Sequence, residues 1–399
     1  MRVLHFTTWR VRCGIAGYAE SLIDALDAQG VESLVHAVDL ERLRDGRADP
    51  IDEDLDRLIA EARDVDVVHI QHEFSFFDRY SLHASNRRFA RVLRALGGRP
   101  VVVTFHTHPP FRDALLALIA RGSGGLSWPA KFLLNARNRW LQWQWRTQVG
   151  AQFEASGARA LVHTRCTRHA LIAESGFEPA SVRVIPMGTV ARAPSGVSRV
   201  EARRRHGLPE DGVISVIFGF VQAFKGGDVA VRALARLPRH FHLVFAGGSH
   251  PEASADVPAD IMQLAASLGV ADRVRITGYV DIPTLDDYHA ASDICLTPYV
   301  FGALYSGSAG TTWALSSGRP LIASDIPVFK ELAEDFDCVL LCAEWSDEDL
   351  AAKMMRLASD QELQARLVAR ASTAVRYWPD VSREVLESYE QALGRHAPA

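Results

Sequence analysis

The sequence has few cysteines, and they form no recognisable group. The five lie at positions 13, 166, 295, 338 and 342 and match neither a CxxC motif nor a Cys/His metal-binding spacing. An odd, scattered set argues against a complete disulfide framework and predicts reduced, buried thiols. We therefore expect no metal site.

Long apolar runs are absent as well. No uninterrupted run reaches the roughly 18 residues that a membrane-spanning helix needs. The first residues, MRVLHFTTWRV, contain no small-residue cleavage site. The expected location is the cytoplasm.

The sequence also lacks a GxGxxG motif after any predicted strand, which argues against a dinucleotide-dependent dehydrogenase. Its charge is unevenly distributed, because residues 79–168 carry fifteen Lys/Arg against two acidic residues in a chain of net charge −4. Such a stretch either attracts anionic partners or forms an arginine-rich solvated surface. Nucleic-acid binding is not expected, because much of the stretch lies in predicted core elements and the chain is acidic overall.

The 399 residues, 48% of them hydrophobic, are enough for two domains. Short apolar runs alternate with helical segments, such as the predicted helix from Tyr18 to Gln29, and the runs are RVLHFTT, VESLVHAV, DVVHIQH, PVVVTFH and ALVHT. Strands that are apolar nearly throughout are typical of parallel sheets covered by helices on both faces. The pattern stops near residues 185–198 and then restarts with GVISVIFGF, FHLVFAGG, RVRIT, DICLTPY and RPLIAS.

This alternation predicts an α/β fold of two doubly wound Rossmann-like domains. The predicted domains cover residues 1–190 and 191–378, and a helix within 379–399 is expected to pack back on the first domain.

Ligands of open parallel sheets bind beyond the carboxyl ends of the strands, so the loops there are candidate sites. After the first strand, Gly14 and Gly17 would let backbone N–H groups and a helix start approach a ligand closely. His106 ends the strand PVVVTFH and could donate to a ligand hydroxyl or phosphate oxygen. A structural role is equally open for this histidine, since His69, His72 and His163 lie near comparable strand ends.

The second predicted domain has two further loops of this kind. Lys225 precedes Gly226 and Gly227 at a helix start, where a point charge and free N–H groups suit a diphosphate. The segment SGSAGTT leads into another helix and offers hydroxyls and N–H groups to an anion. A surface lysine and an ordinary helix cap are the alternatives for these two loops.

Six segments of the chain together resemble family 4 glycosyltransferases of GT-B fold, whose two domains face each other across a cleft. They are CGIAGYAESL, VVVTFHTHP, GFVQAFKGGDVAVRAL, LVFAGG, VRITGYVDIPTLDDYHAASDICLTPY and SGSAGTTWALSSGRPLIASDIPVFKEL. The resemblance implies a hexosyltransferase that moves a sugar from a nucleotide-sugar donor to a glycan or lipid-linked acceptor, retains the anomeric configuration and needs neither metal nor cofactor.

The resemblance also implies roles for individual residues. His106 and Lys225 would be catalytic, in contact with the donor sugar and the diphosphate, and His72 and Glu73 would contact the acceptor. The donor would be bound by Gly14, Gly17, Gly219, Tyr279, Val280, Tyr305, Ser308, Ala309, Gly310, Thr311 and Trp313.

Three positions depart from the family pattern. Phe220 stands where the family commonly has an arginine, and Tyr305 and Trp313 stand where it has a pair of glutamates. Neither Tyr305 nor Trp313 accepts hydroxyl hydrogen bonds as a carboxylate does. These departures leave a non-catalytic nucleotide-sugar-binding protein or partner subunit as the alternative function. An epimerase or phosphorylase on the same fold is a weaker alternative.

Residues 129–153 read as a helix with two apolar stripes. Phe132, Ala136, Trp140 and Trp143 form one stripe, and Leu134, Leu141 and Trp145 form the other. Both stripes could be buried. Otherwise one packs on the first domain, and the other, near Lys131, Arg137, Arg139 and Arg146, lies peripherally at an anionic membrane surface.

Overall fold

A computed structural model describes residues 1–45, 48–107, 128–190, 197–249, 255–300 and 307–395. The chain divides into two compact units. The first comprises Met1–Gly188, Ala303–Gly307 and Arg376–Ala399, and the second comprises Thr189–Gly302 and Ser308–Val375.

The strands and helices of the described residues alternate along the chain. The strands are β1 Arg2–Thr7, β2 Glu32–Ala37, β3 Val67–His72, β4 Val101–Phe105, β5 Arg159–Val162, β6 Val182–Val184, β7 Val213–Phe218, β8 Phe241–Ala246, β9 Val274–Ile276, β10 Ile294–Thr297, β11 Leu321–Ser324 and β12 Val339–Cys342. The α-helices are α1 Gly14–Asp27, α2 Leu40–Asp45, α3 Ala48–Glu61, α4 Leu82–Ala95, α5 Trp128–Gln144, α6 Ala151–Ser156, α7 Arg165–Ser175, α8 Arg199–Arg205, α9 Gly227–Arg236, α10 Val257–Ser267, α11 Ile282–Ala291, α12 Ala309–Ser316, α13 Pro327–Phe336, α14 Asp347–Ser359, α15 Gln361–Ala374 and α16 Trp378–Arg395. A π-helical segment, Trp145–Gly150, joins α5 to α6.

The first unit contains a six-stranded parallel sheet in the order β2-β1-β3-β4-β5-β6. Its central strands β3 and β4 are buried on both faces, and β4 accordingly reads as a nearly continuous apolar run. On one face Leu4, Ile70 and Phe105 belong to a large aromatic-rich core. On the other face Val3 and Val67 pack in a second core with side chains of α1 and α16.

Helix α16 is part of the first unit although it follows the second unit in sequence. Its Val381, Val385 and Tyr389 are fully buried in the core shared with α1. Trp378 packs edge-on against Tyr18 of α1, with ring centroids 5.1 Å apart. The helix therefore completes one face of the first sheet.

The second unit contains another six-stranded parallel sheet, in the order β12-β11-β10-β7-β8-β9. One core lies between this sheet and α9, α10 and α14, and a second lies on the opposite face, toward α11 and α12. Several of its helices begin at a side chain that accepts a hydrogen bond from the first turn. Asp281 accepts from the Thr284 amide at 2.9 Å, and Ser308 accepts from the Thr311 amide at 3.1 Å.

The prediction of two doubly wound α/β domains is confirmed, since each unit has a parallel sheet with helices on both faces. Helix α1 begins four residues earlier than predicted, because Gly14 and Gly17 are helical residues rather than loop. The interpretation of residues 129–153 as one helix is correct only in part, since the π-helical segment interrupts it. Across the described ranges, no helix has the length and apolarity needed to cross a bilayer.

Candidate functional site

In the first unit, His106 lies directly beyond the carboxyl end of β4. Its Nε2 lies 2.8 Å from Oε1 of Gln71 on the neighbouring strand β3. Its Nδ1 lies 3.3 Å from Nε2 of His163, which follows β5. Adjacent parallel strands thus bring these three side chains together at one sheet edge.

This group of imidazoles is poor at holding a positive charge. Burial and the neighbouring imidazoles, His163 first among them, hold the pKa of His106 well below its usual 6.5. Burial lowers the pKa of His163 to about 4. At neutral pH both rings are therefore uncharged, and they serve as directional hydrogen-bonding groups.

Both ring nitrogens of His106 have protein partners. A ligand hydroxyl that bonds to this ring must therefore displace Gln71 or His163 or share a nitrogen with one of them. Sequence reasoning did not identify Gln71, although its position next to the last residue of β3 was a signal.

Gly14 and Gly17 form the exposed first turn of α1. A Cβ added at either glycine would meet no atom within 4 Å, so the surface there is open to a ligand. The preceding residue, Cys13, is extended, with φ −143°, and directs the chain into the helix from the end of β1.

The two residues predicted to contact the acceptor have different surroundings. His72 is fully buried among Phe74, Phe89 and Phe105 on the aromatic face of the sheet, so its placement gives no support to an acceptor contact. Glu73 is half-buried at the strand end and accepts a 2.8 Å hydrogen bond from the Thr107 hydroxyl. Burial raises the pKa of Glu73 above its ordinary value.

In the second unit, Lys225 folds back onto the end of β7. Its Nζ donates a 3.1 Å hydrogen bond to the carbonyl oxygen of Phe218. Burial lowers the pKa of Lys225 to about 8, although part of the side chain remains exposed. Gly219 has φ +82°, and a Cβ there would lie 2.8 Å from Nζ. The lysine is therefore held against the backbone at the end of β7, with part of its side chain open to solvent.

Backbone segments crowd around this strand end. A Cβ on Gly247 would lie 2.1 Å from the carbonyl oxygen of Gly219, and one on Gly248 would lie 3.1 Å from Cα of Gly278. The Gly247 amide donates to the Thr277 hydroxyl at 3.0 Å. Sequence reasoning missed Gly247 and Gly248, although the GG pair directly after β8 was a signal. Their lack of side chains allows the backbone after β8 to pack closely against Gly219 and Gly278.

The loop after β9 supplies two of the residues predicted to bind the donor. Tyr279 is exposed, and Val280 is half-buried against the core of the second unit. Gly278, with φ +73°, makes the turn that places them.

The start of α12 lies beside the same strand end. Ser308 caps this helix and also lies 2.9 Å from the Tyr299 hydroxyl. A Cβ on Gly310 would lie 3.3 Å from the Phe218 carbonyl oxygen, which is the oxygen bonded to Lys225. Ala309 is exposed and Thr311 buried in this first turn. The structure thus brings Lys225, Gly219 and the start of α12 together, where free N–H groups and an ammonium could bind an anion.

The three positions that depart from the family pattern lie near these groups in sequence. Phe220 is half-buried and follows Gly219, and Trp313 is half-buried on α12. Tyr305 lies outside the described residues. Among the residues that the structure does describe, no group of three or more His, Cys, Asp or Glu is arranged to hold a metal ion.

Two family models match the chain, one in each half. The model of Glycosyltransferase Family 4 matches residues 13–191, and that of Glycosyl transferases group 1 matches residues 213–360.

Among curated proteins, the chain is similar to the D-inositol 3-phosphate glycosyltransferase of Acidothermus cellulolyticus. The two are 29% identical over 321 residues, which are 77% of this chain and 66% of the relative. The match therefore spans about two thirds of that protein's length.

Solved structures with the same fold include the sucrose-phosphate synthase of Thermosynechococcus elongatus. It is 18% identical, with a TM-score of 0.72, and the match covers 99% of each chain. Anabaena HepE in complex with UDP and glucose is 16% identical, with a TM-score of 0.72, over 98% of this chain and all of HepE. At these identities the likeness shows the fold.

Proposed function

Because the chain belongs to the family 4 and group 1 glycosyltransferases of GT-B fold, we propose that it transfers a sugar from a nucleotide-sugar donor to an acceptor. The observation that carries this proposal is the group around the end of β7. There Lys225 and the start of α12 converge on one carbonyl oxygen, that of Phe218. A charged ammonium beside helix N–H groups suits a diphosphate.

The donor is proposed to bind through its diphosphate at this group, with its base against Tyr279 and Val280. The diphosphate would draw the Lys225 ammonium away from the Phe218 carbonyl and replace a neutral acceptor with an anionic one. Such charge-assisted hydrogen bonds are roughly twice as strong as neutral ones. HepE has been crystallised with UDP and with UDP-glucose, which makes UDP-sugars the first donors to test.

The reaction is proposed to retain the anomeric configuration and to need no metal ion. In this mechanism the leaving phosphate oxygen accepts the proton of the attacking acceptor hydroxyl, so no carboxylate nucleophile is required. Lys225 would stabilise the negative charge that develops on the leaving diphosphate. His106 would orient the donor sugar through hydrogen bonds, since its lowered pKa keeps the ring neutral.

The acceptor is proposed to be a glycan or lipid presented at an anionic membrane surface. The observation in favour is the outer face of α5, where four apolar side chains are exposed: Phe132 61%, Leu133 68%, Trp140 47% and Trp143 60%. Arg137, Arg139 and Arg146 are exposed on the same helix and its π-helical continuation. Aromatic and basic side chains on one exposed face suit the interface of a bilayer that carries negative charge.

The opposite face of this helix anchors it to the first unit. Leu141, Trp145 and Val149 are buried in the aromatic-rich core. The tight packing requires Gly150, since a Cβ there would lie 2.3 Å from the Ser175 carbonyl oxygen. One stripe is therefore committed to the fold, and the other is exposed to solvent.

Vesicle flotation tests the membrane proposal. We expect binding to vesicles of phosphatidylcholine with 30% phosphatidylglycerol, and at least about tenfold weaker binding to phosphatidylcholine alone. The double variant Leu133→Ser, Trp143→Ser should lose binding while its melting temperature stays the same. Leu268→Ser, which changes an exposed leucine of the second unit, is the matched control and should bind normally. Equal binding to both kinds of vesicle would contradict the proposal.

The relatives named as D-inositol 3-phosphate glycosyltransferases suggest the competing acceptor, a small soluble inositol phosphate. Transfer to D-inositol 3-phosphate in solution, undiminished by the double variant, would replace the membrane-presented acceptor with this one.

Turnover distinguishes a transferase from a nucleotide-sugar-binding protein, the alternative raised by the residues at positions 220, 305 and 313. Nucleotide release and sugar transfer are followed with UDP-, GDP- and dTDP-sugars in the presence of EDTA, for the parent chain, Lys225→Met and the surface control Lys330→Met. We expect turnover with one donor, lost in Lys225→Met and retained in Lys330→Met. Thermal stabilisation by a donor without turnover under any condition would establish the binding protein instead.

A further inference from the structure

A continuous chain of hydrogen-bonding groups runs through the first unit from α16 to the end of β6. The Tyr389 hydroxyl lies 2.6 Å from His69 Nδ1, and His69 Nε2 lies 3.3 Å from Gln71 Nε2. Gln71 Oε1 lies 2.8 Å from His106 Nε2, and His106 Nδ1 lies 3.3 Å from His163 Nε2. His163 Nδ1 ends the chain, 3.1 Å from the carbonyl oxygen of Ile185.

The carbonyl at the end of the chain determines where the ring protons lie. A carbonyl oxygen can only accept, so Nδ1 of His163 carries a proton. If His163 is neutral, its Nε2 is bare and must accept from Nδ1 of His106. If His106 is also neutral, its own Nε2 is bare and needs a donor from Gln71.

The structure places the amide oxygen of Gln71, an acceptor, against that Nε2. In this orientation His106 must donate from Nε2, His163 must donate from Nδ1, and one more proton lies between the rings. Two rings then hold three protons, which is one more than two neutral imidazoles carry.

The reverse orientation of the amide suits the neutral pair. The amide has the same shape either way, and turning it over presents N–H to His106 and oxygen to His69. Each contact along the chain then has one donor and one acceptor, and the Nε2 proton of His69 is shared between Gln71 and the Thr104 hydroxyl, which lies 2.8 Å from it. The orientation of one amide is thus coupled to one proton on the pair.

We propose that Gln71 is a positioning residue that determines the tautomer and protonation state of His106. With its amide N–H toward the ring, His106 is neutral and protonated on Nδ1. With its amide oxygen toward the ring, the His106–His163 pair holds one additional proton. The inference deepens the proposed function, since it concerns the ring expected to orient the donor sugar.

The surroundings decide which state prevails near neutral pH. His5 on β1, His69 and His72 on β3 and Glu73 beyond it are the nearby titratable groups of the sheet, and Tyr18 on α1 packs on both rings. Tyr389 faces the chain from α16. Burial lowers the pKa of His106, and the imidazoles of His163, His69 and His72 lower it further. The neutral state is therefore expected, with Nε2 bare and facing the amide N–H.

Nitrogen NMR of histidine labelled with 15N on the ring tests this in the unliganded protein, where no turnover is needed. His106→Gln identifies the His106 resonances. In the parent chain at pH 7 we expect the signature of a neutral ring protonated on Nδ1. In Gln71→Glu, whose ionised carboxylate presents only acceptor oxygens to the rings, the signature of a doubly protonated His106 should appear at the same pH.

Two further variants keep the test decisive. Gln71→Met, of similar length but without an amide, should keep the Nδ1 proton, since Ile185 sets it, while the Nε2 resonance moves as its donor is lost. Ile70→Val, on the opposite face of β3, controls for small changes in the strand and should leave both resonances unchanged.

Protonation of the parent ring on Nε2 alone, or a Gln71→Glu spectrum like that of the parent, would overturn the inference whether or not the protein turns over. If turnover is found, Gln71→Glu should also shift the pH profile of kcat, which a purely structural role would leave in place. Absence of turnover with the expected NMR result would count against the proposed function alone.

Discussion

Replacement of Lys225 by methionine should stabilise the fold while it weakens nucleotide binding. The Nζ group lies against the Phe218 carbonyl and Gly219, and burial lowers its pKa from 10.5 to about 8. The buried charge therefore lowers the stability of the folded protein. Methionine has a similar length but carries no charge.

The size of the effect follows from the pKa. A fall from 10.5 to about 8 corresponds to about 3 kcal/mol, at about 1.4 kcal/mol per pH unit. Solvent reaches part of the side chain, and methionine loses the hydrogen bond to Phe218, so we expect about 1–2 kcal/mol of net stabilisation at pH 7. Since the folded state binds fewer protons than the unfolded state between pH 8 and 10.5, the stability of the parent chain should rise with pH in that window, and the advantage of Lys225→Met should shrink.

Urea unfolding at pH 7 and pH 9.5 measures the stability, and titration calorimetry with UDP, GDP and dTDP measures the binding. Loss of a charge-assisted hydrogen bond of about 1.5–3 kcal/mol should lower affinity roughly 10- to 150-fold. Binding by the parent chain should also weaken as pH rises above about 8. Lys330→Met, which removes an exposed lysine paired with Asp325 at 3.3 Å, should change neither quantity appreciably. A Lys225→Met protein less stable than the parent by more than about 1 kcal/mol would refute the reasoning from burial, and unchanged affinity would refute the role in binding.

Three other substitutions test separate parts of the structure. Phe220→Arg would supply the cation that the family commonly has, and calorimetry should find roughly tenfold tighter nucleotide binding; weaker or unchanged binding would show that the position does not face the diphosphate. Gly226→Ala should lower the free energy of unfolding in urea by about 1–3 kcal/mol or more, because Gly226 has φ +66° and a Cβ would lie 1.9 Å from the Pro298 carbonyl oxygen. A decrease below about 0.5 kcal/mol would contradict that geometry. Tyr389→Phe should lower the free energy of unfolding by about 1–3 kcal/mol, because the buried His69 loses its hydrogen bond with the Tyr389 hydroxyl, 2.6 Å away. An unchanged free energy of unfolding would mean that this hydrogen bond is not formed.

The sheets were predictable from the sequence because their strands are covered on both faces. A strand buried on both faces tends to be apolar nearly throughout, so β4, β7 and β8 were recognisable without any alignment. The positions of His106 and Lys225 followed from the same reasoning, since the loops after parallel strands share one edge. Their importance came from the family resemblance, because a histidine or lysine at a strand end is also common in a structural role.

The direction of individual side chains was not predictable. His69 and Gln71 lie on one face of β3 and His72 on the other, but because both faces are covered, the sequence does not reveal which face leads toward a ligand. The face that carries His72 is closed off because it packs against the aromatic side chains of Phe89, Phe105 and Trp145. Those contacts join residues far apart in the chain. The close approach of Gly247 to Gly219 likewise depends on the pairing of β7 with β8.

The start of α1 and the π-helical segment were misjudged for local reasons. Two glycines near a turn usually indicate a loop, yet here Gly14 and Gly17 lie in the helix, because the extended Cys13 turns the chain directly into it. The wider turn at Trp145–Gly150 accommodates contact between Gly150 and the Ser175 carbonyl, which the helical periodicity of the sequence does not reveal.

The inclusion of α16 in the first unit has a consequence for how the protein is made. During synthesis on the ribosome, the strands of the first sheet emerge early, but Val381, Val385 and Tyr389, which cover one of its faces, emerge only after the whole second unit. Until then Val3, Leu22 and Val67 lack part of their apolar cover. The unit that starts first thus finishes last, and the nascent chain carries an unfinished hydrophobic face, a natural binding site for a chaperone, throughout the synthesis of its other half.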